Sequence, residues 1–180
     1  MLISKDSRIF IAGHSGMVGS AIKRKLIANG YGDKKVGGRI LTPSRIELDL
    51  LNYDAVEKWF AFNKPEVVIL AAAKVGGIFA NANRPLDFLM QNLKIQSNII
   101  EQSFLNNVKR LLFLGSSCIY PKFSKQPIKE EYLLTGSLEK TNEMYAIAKI
   151  AGIKLCESLR MQENFDAISL MPTNLYGPGD

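Results

Sequence analysis

Two hydrophobic rhythms alternate along the chain. Short apolar runs rich in Ile, Val, Leu and Phe lie at residues 8–12, 39–42, 66–71, 110–115 and 167–171, and these read as strands. Between them, apolar residues at helical spacing predict helices over residues 16–28, 52–62, 84–106 and 142–163. In the first helix Val18, Ile22 and Leu26 recur every four residues as a sheet-facing stripe, Lys23, Arg24 and Lys25 are left to water, and Asn29-Gly30 stops the helix. The last three strands are continuous apolar runs, as expected where helices cover both sheet faces. Repeated βα units of this kind predict an α/β fold with a doubly wound parallel sheet.

Three stretches fit neither rhythm: residues 30–38, 72–83 and 116–140. The last two each follow the C-terminal end of a strand. Ligands of open parallel sheets bind in that crevice, so function is to be sought in these loops. The segment 175–180 is a turn directly after a buried strand, which leads to the expectation of an incomplete domain spanning residues 1–180.

Composition narrows the function classes. With 180 residues, 47% hydrophobic and 22% charged, the chain suits one domain with a real core. Its longest apolar run, residues 67–73, falls far short of the roughly 20 residues that cross a bilayer, and residues 1–6 do not form a secretory signal. A cytoplasmic protein without membrane contact is expected. Cys118 and Cys156 lack metal-ligand spacing, so neither a disulfide nor a metal site is expected. The net charge is +6, but the excess is front-loaded: residues 1–50 hold nine Lys and Arg against four Asp and Glu. That distribution favours a small anionic ligand near the N-terminus over a nucleic acid.

Three motifs carry chemistry. Gly13-His14-Ser15-Gly16-Met17-Val18-Gly19 joins the first strand to the first helix. Glycines there allow a tight turn and close approach of backbone to a pyrophosphate, while the helix N-terminus supplies free N–H groups and positive dipole. The segment Thr42-Pro43-Ser44-Arg45 carries no acid to accept from a ribose 2′-hydroxyl. Arg45 instead suits a 2′-phosphate, favouring NADP over NAD, unless it merely pairs with Glu47. Asp49 either accepts from an adenine amino group or caps the following helix. Tyr145 and Lys149, four apart on one helix, place a phenol beside an ammonium, which is expected to draw the phenol pKa down. Ser116, at the end of the fourth strand, can donate to a carbonyl oxygen as charge develops there, or is a structural turn serine. Cys118 can take a proton from a carbon next to a ketone if neighbouring cations lower its pKa, or is a small buried hydrophobe.

The glycine loop, the serine after the fourth strand and the Tyr-x-x-x-Lys helix, in this order, resemble the extended short-chain dehydrogenase/reductase family. Ala71-Ala72-Ala73-Lys74-Val75-Gly76-Gly77, Leu114-Gly115-Ser116-Ser117-Cys118-Ile119-Tyr120-Pro121 and Pro172-Thr173-Asn174-Leu175-Tyr176-Gly177-Pro178 resemble the branch acting on GDP-linked 4-keto-6-deoxy sugars. The resemblance implies an NAD(P)-binding Rossmann domain and NADPH-dependent conversion of GDP-4-keto-6-deoxy-mannose to GDP-L-fucose, by epimerisation and then ketone reduction. It also implies a homodimer. Ser116 would hold the 4-keto oxygen, Tyr145 would deliver the proton, Lys149 would bind the nicotinamide ribose, and Cys118 would be the epimerisation base. Gly13 to Gly19, Arg45, Asp49, Ala71, Ala72, Leu114, Gly115, Ser117, Pro172, Thr173, Asn174 and Leu175 would contact the cofactor. Two departures stand out. Ser15 occupies a position where some relatives carry an arginine for the 2′-phosphate, and the family's partner histidine lies beyond Asp180, as does most of its substrate domain. The alternatives are an NAD-dependent nucleotide-sugar epimerase or dehydratase, and a noncatalytic NADP-binding module.

Overall fold

The computed structural model describes residues 3–180. Five parallel strands form one sheet in the order β2-β1-β3-β4-β5: β1 (Arg8–Ala12), β2 (Arg39–Leu41), β3 (Val67–Leu70), β4 (Arg110–Leu114) and β5 (Ala167–Leu170). Its register pairs Ile9 with Val67, Val67 with Arg110, and Leu111 with Ala167. The helices are α1 (Met17–Ala28), α2 (Tyr53–Asn63), α3 (Ile78–Asn83), α4 (Pro85–Leu105) and α5 (Glu143–Glu163). The doubly wound α/β architecture is borne out, with ends shifted by a residue or so. Among the described residues α3 is a new short α-helix inside the loop after β3, and short 3₁₀ turns lie at Lys34–Val36, Ser117–Ile119 and Glu130–Tyr132.

Local chemistry explains the boundaries. Asn52 starts α2 by accepting from Ala55 N–H at 3.0 Å, while Pro85 opens α4 where its missing N–H costs nothing. Asn29 caps the end of α1, and Gly30 follows at φ +77°, a conformation that favours glycine.

Side-chain alternation divides the core in two. Phe10, Val68, Leu70, Leu111 and Phe113 face α2, α4 and α5 and pack with Phe60, Ile99, Ile100 and Ile153. Phe10, Trp59 and Phe60 form a ring cluster with centroids 4.4 to 5.8 Å apart. On the opposite face Ile9, Ile11, Val67 and Ile69 meet Ile22 and Leu26 of α1. Val18 departs from the expected stripe and lines the cleft described below. Coverage of that second face thins toward β4 and β5. Leu112 and Leu114 are half-buried and Leu170 is exposed, so the expectation of two covered faces holds for β1 and β3 but not for this edge.

Helices α4 and α5 pack closely because Gly152 has no side chain: a Cβ there would lie 2.5 Å from the Phe113 ring and 2.9 Å from Gln96. Gln96 donates to Ala148 O at 2.6 Å, bracing α5 beside Lys149. No helix among the described residues is long and apolar enough to cross a membrane.

Candidate functional site

The sheet reverses its order between β1 and β3, since β2 lies on one side of that pair and β4 and β5 on the other. A cleft of about 1140 Å³ opens over their C-terminal ends, the position expected for ligands of such sheets. It runs from Arg45 and Asp49, past the glycine loop, to Tyr145, Lys149 and Pro172 to Leu175.

At the glycine loop the cradle is made of backbone. Gly13 sits at φ +86°, and a Cβ on it would lie 2.6 Å from Ala72 N. A Cβ on Gly19 would lie 2.1 Å from Gly13 O. These two glycines therefore let α1 and the loop after β3 close on the turn. Gly16 differs: its φ is −73° and a Cβ would meet only Gly13 O, at an ordinary 3.6 Å. It stands at the N-terminus of α1 with no side-chain cap, leaving the positive end of the helix open to an anion. His14 is the loop's one titratable group, and burial, then the charge of Lys23, lowers its pKa, partly offset by Glu47.

Arg45 and Asp49 are exposed on the cleft wall beyond β2. The proposed Arg45–Glu47 pair does not form. Glu47 accepts from Ser44 N–H at 2.7 Å, and Ser44 Oγ accepts from Glu47 N–H at 3.3 Å. Asp49 accepts from Leu51 N–H at 3.1 Å, and capping of α2 falls to Asn52 instead. The loop after β3 is held by Asn92 of α4, which accepts from Lys74 N–H at 2.8 Å and donates to Lys74 O at 3.0 Å. Asn92, Gln91 and Ile95 were not identified in the sequence as site-forming residues. Their only trace there is the helical spacing of α4.

At the other end of the cleft the side chains matter more than the backbone. Lys149 is 4% exposed, donates to Leu114 O at 2.7 Å, and lies over the Phe113 and Tyr145 rings at 4.9 and 5.8 Å from their centroids. Burial lowers its pKa to about 8. The phenol of Tyr145 moves against the sequence expectation. Burial, which disfavours the charged phenolate, and then negative charge at the nearby Cys118 push it up to about 12.

Ser116 lines the cleft and begins a 3₁₀ turn (Ser117–Ile119), its Oγ accepting from Cys118 N–H at 3.4 Å. Ser117 and Cys118 are not part of the lining. Ser117 N–H donates to Pro172 O at 3.1 Å and Gly115 N–H to Leu170 O at 2.7 Å, so this turn ties β4 to the segment after β5. Burial raises the Cys118 thiol, and the smaller opposing effects of Ser116 and then Lys149 do not offset it. The other expected site residues all line the cleft: Met17, Val18, Ala71, Ala72, Leu114, Gly115, Thr173 and Asn174 among them. Among the described residues no cluster of His, Cys, Asp or Glu has the makeup of a metal site.

A long cleft with a backbone cradle, an open helix N-terminus and a half-buried Tyr145 beside the buried Lys149 fits an extended dinucleotide. The family model for the NAD dependent epimerase/dehydratase family matches residues 9–180. The chain belongs to that family. It is 57% identical over 176 residues to GDP-L-fucose synthase 1 of Arabidopsis thaliana, covering 98% of this chain and 53% of that one. It is likewise 57% identical over 173 residues to GDP-L-fucose synthase of Escherichia coli, covering 96% and 52%. Among solved structures it is similar to the GDP-mannoheptose C4 reductase of Campylobacter jejuni with NADP bound, at a TM-score of 0.92 and 43% identity over 98% of this chain and 54% of that one. This member of the family thus spans about half the length of the relatives it matches.

Proposed function

We propose that the chain is the dinucleotide-binding part of an NADP-dependent enzyme that epimerises and reduces GDP-4-keto-6-deoxy-mannose to GDP-L-fucose. The observation that carries this reading is the placement of Tyr145 and Lys149, with Ser116, at the end of the cleft opposite Arg45. The relatives named GDP-L-fucose synthase supply the sugar.

Gly13 and Gly19 shape the turn that would hold the pyrophosphate, with the uncapped N-terminus of α1 supplying free N–H groups for it. His14, Ser15, Gly16, Met17 and Val18 complete that wall, with Ala71 and Ala72 opposite. Arg45 and Asp49 take the adenosine end, the guanidinium favouring a 2′-phosphate. Leu114, Gly115 and Pro172 to Leu175 close on the nicotinamide end. NADPH supplies the hydride. Ser116 donates to the 4-keto oxygen, and Tyr145, protonated at neutral pH with its pKa near 12, gives that oxygen its proton. Lys149 orients the ribose and presents its charge beside the phenol. Cys118 is assigned the carbon proton removed in epimerisation, with the Lys149 ammonium as the charge that favours its thiolate. Ser117 acts through the β4 turn rather than on the cofactor.

Both cysteines are free, which suits the reducing cytoplasm, and exposed Leu86, Met90, Leu105, Ile147 and Met161 on α4 and α5 offer apolar surface for a homodimer. The test is label transfer from NADPH tritiated on its nicotinamide to GDP-4-keto-6-deoxy-mannose by the protein in its natural length. Label at the sugar C4 is expected. Tight NAD retention with no net NADPH consumption would overturn the reading in favour of an NAD-dependent epimerase.

A further inference from the structure

Three buried amide side chains of α4 each reach the backbone of a different wall of the cleft. Asn92 holds Lys74 in the loop after β3, and Asn98 donates to Leu50 O at 2.9 Å in the loop after β2. Gln96, 3% exposed, stands between them in the helix and points to α5, where its Nε2 donates to Ala148 O at 2.6 Å. That carbonyl belongs to the peptide group whose N–H is that of Lys149, and the helical pattern of α5 sends this N–H to the carbonyl of Tyr145. One peptide group thus joins Gln96 to both members of the Tyr–Lys pair.

Packing alone does not account for an amide at this position. Gln96 Oε1 is buried with no hydrogen-bond partner among the described residues, a cost that a methionine of similar length would avoid. Ala148 O does not depend on Gln96 for a partner either, since the helix offers it the N–H of Gly152. Room for the amide is nonetheless kept: a Cβ on Gly152 would lie 2.9 Å from both Cδ and Oε1 of Gln96. The Phe113 ring that closes the same gap also lies beneath the Lys149 ammonium, 4.9 Å from its centroid, and that ammonium donates to the adjoining Leu114 O. Gln96 therefore fixes α5 at the level of Lys149, over the strand whose carbonyl the ammonium uses.

We infer that Gln96 is a positioning residue for Tyr145 and Lys149: its bond to Ala148 O sets the height and rotation of α5 at that pair, and so where the phenol and the ammonium stand above the sheet. The inference rests on the reading above, in which the pair serves ketone reduction. Gln96 is not among the residues lining the cleft, so it acts through α5 rather than on a ligand. A small displacement of the pair is felt in the reaction more than in binding, because proton transfer needs the reacting atoms within hydrogen-bond reach.

The test is the kinetics of NADPH oxidation by GDP-4-keto-6-deoxy-mannose, on the protein in its natural length. Gln96→Met should lower kcat by about tenfold while the KM for the sugar stays within about threefold. With NADPH deuterated at the transferred hydride, the isotope effect on kcat should grow, because reduction has become the slower step. The melting temperature should barely move, since Ala148 O keeps its partner within the helix and the unpaired acceptor is gone. Gln96→Leu gives the same reading if the Met variant folds poorly. Asn98→Ala, which breaks another buried amide-to-backbone bond of α4, should leave kcat at saturating NADPH within about twofold. An unchanged kcat in Gln96→Met, or an equal fall in Asn98→Ala, overturns the inference, and a large loss in Tyr145→Phe then leaves the reductive reading standing. If Tyr145→Phe keeps full turnover, both fall.

Discussion

The two ends of the cleft are built by opposite means. Around Gly13 and Gly19 the surface is backbone, its shape set by atoms that are absent: two missing Cβ atoms decide how closely α1 and the loop after β3 approach the turn. Around Tyr145 and Lys149 the surface is side chain, and its chemistry is set by burial, which moves a phenol to about 12 and an ammonium to about 8. The first end thus depends chiefly on side-chain volume in the turn, the second chiefly on the protonation of its buried groups. A single substitution can break geometry in the first and protonation in the second, and the two failures look different in solution.

The largest effect is expected at the side-chain end. Tyr145→Phe should lower turnover by roughly a hundred- to ten-thousand-fold, with NADPH affinity and melting temperature little changed, as steady-state kinetics beside a binding titration will show. At the backbone end Gly19→Ala should destabilise the fold by about 3 kcal/mol in denaturant unfolding, since its methyl group would overlap Gly13 O. The neighbouring Gly16→Ala should stay within about 0.5 kcal/mol. Equal losses at Gly16 and Gly19 would show that the loop needs glycine for some reason other than close approach.

Between the ends lies Asn92, 2% exposed, whose amide holds both backbone groups of Lys74. Asn92→Ala should cost about 1 kcal/mol by leaving half-buried backbone of Lys74 unpaired, and should weaken NADPH binding by loosening the loop after β3. The last effect is a pH slope. Lys149 titrates near 8 when folded and near 10.5 otherwise, so above pH 8 the unfolded chain binds more protons and stability rises with pH. From pH 9 upward the raised thiol of Cys156, about 11 when folded against 9.0 otherwise, opposes this, and Tyr145 adds to the opposition above pH 10. A rise of up to about 1.4 kcal/mol per unit is therefore expected between pH 8 and 9, and Lys149→Met should flatten it in urea titrations.

Much of the site is legible along the chain because it is local. A turn between β1 and α1 needs its glycines within seven residues, and Tyr145 and Lys149 share a face because they are four apart. Arg45 reads as a phosphate ligand from its place after β2. Asn92, Gln91 and Ile95 do not read as site residues, since what they touch lies in the loop after β3 and only α4 packing brings them there. Lys23 looks solvated within a basic triplet, and only the neighbouring β2 shows that its stem is half-buried against Thr42.

What the amino-acid sequence determined by itself is the alternation of strands and helices, the backbone cradle after β1, and the spacing of the Tyr–Lys pair. Each depends on residues a few positions apart, where propensity and periodicity act directly. Only the tertiary structure decided which glycines are obligatory, that the β4–β5 edge is covered on one face, and that Tyr145 and Cys118 rise rather than fall. These are matters of close approach and desolvation, set by atoms from distant parts of the chain, and local patterning carries no record of them.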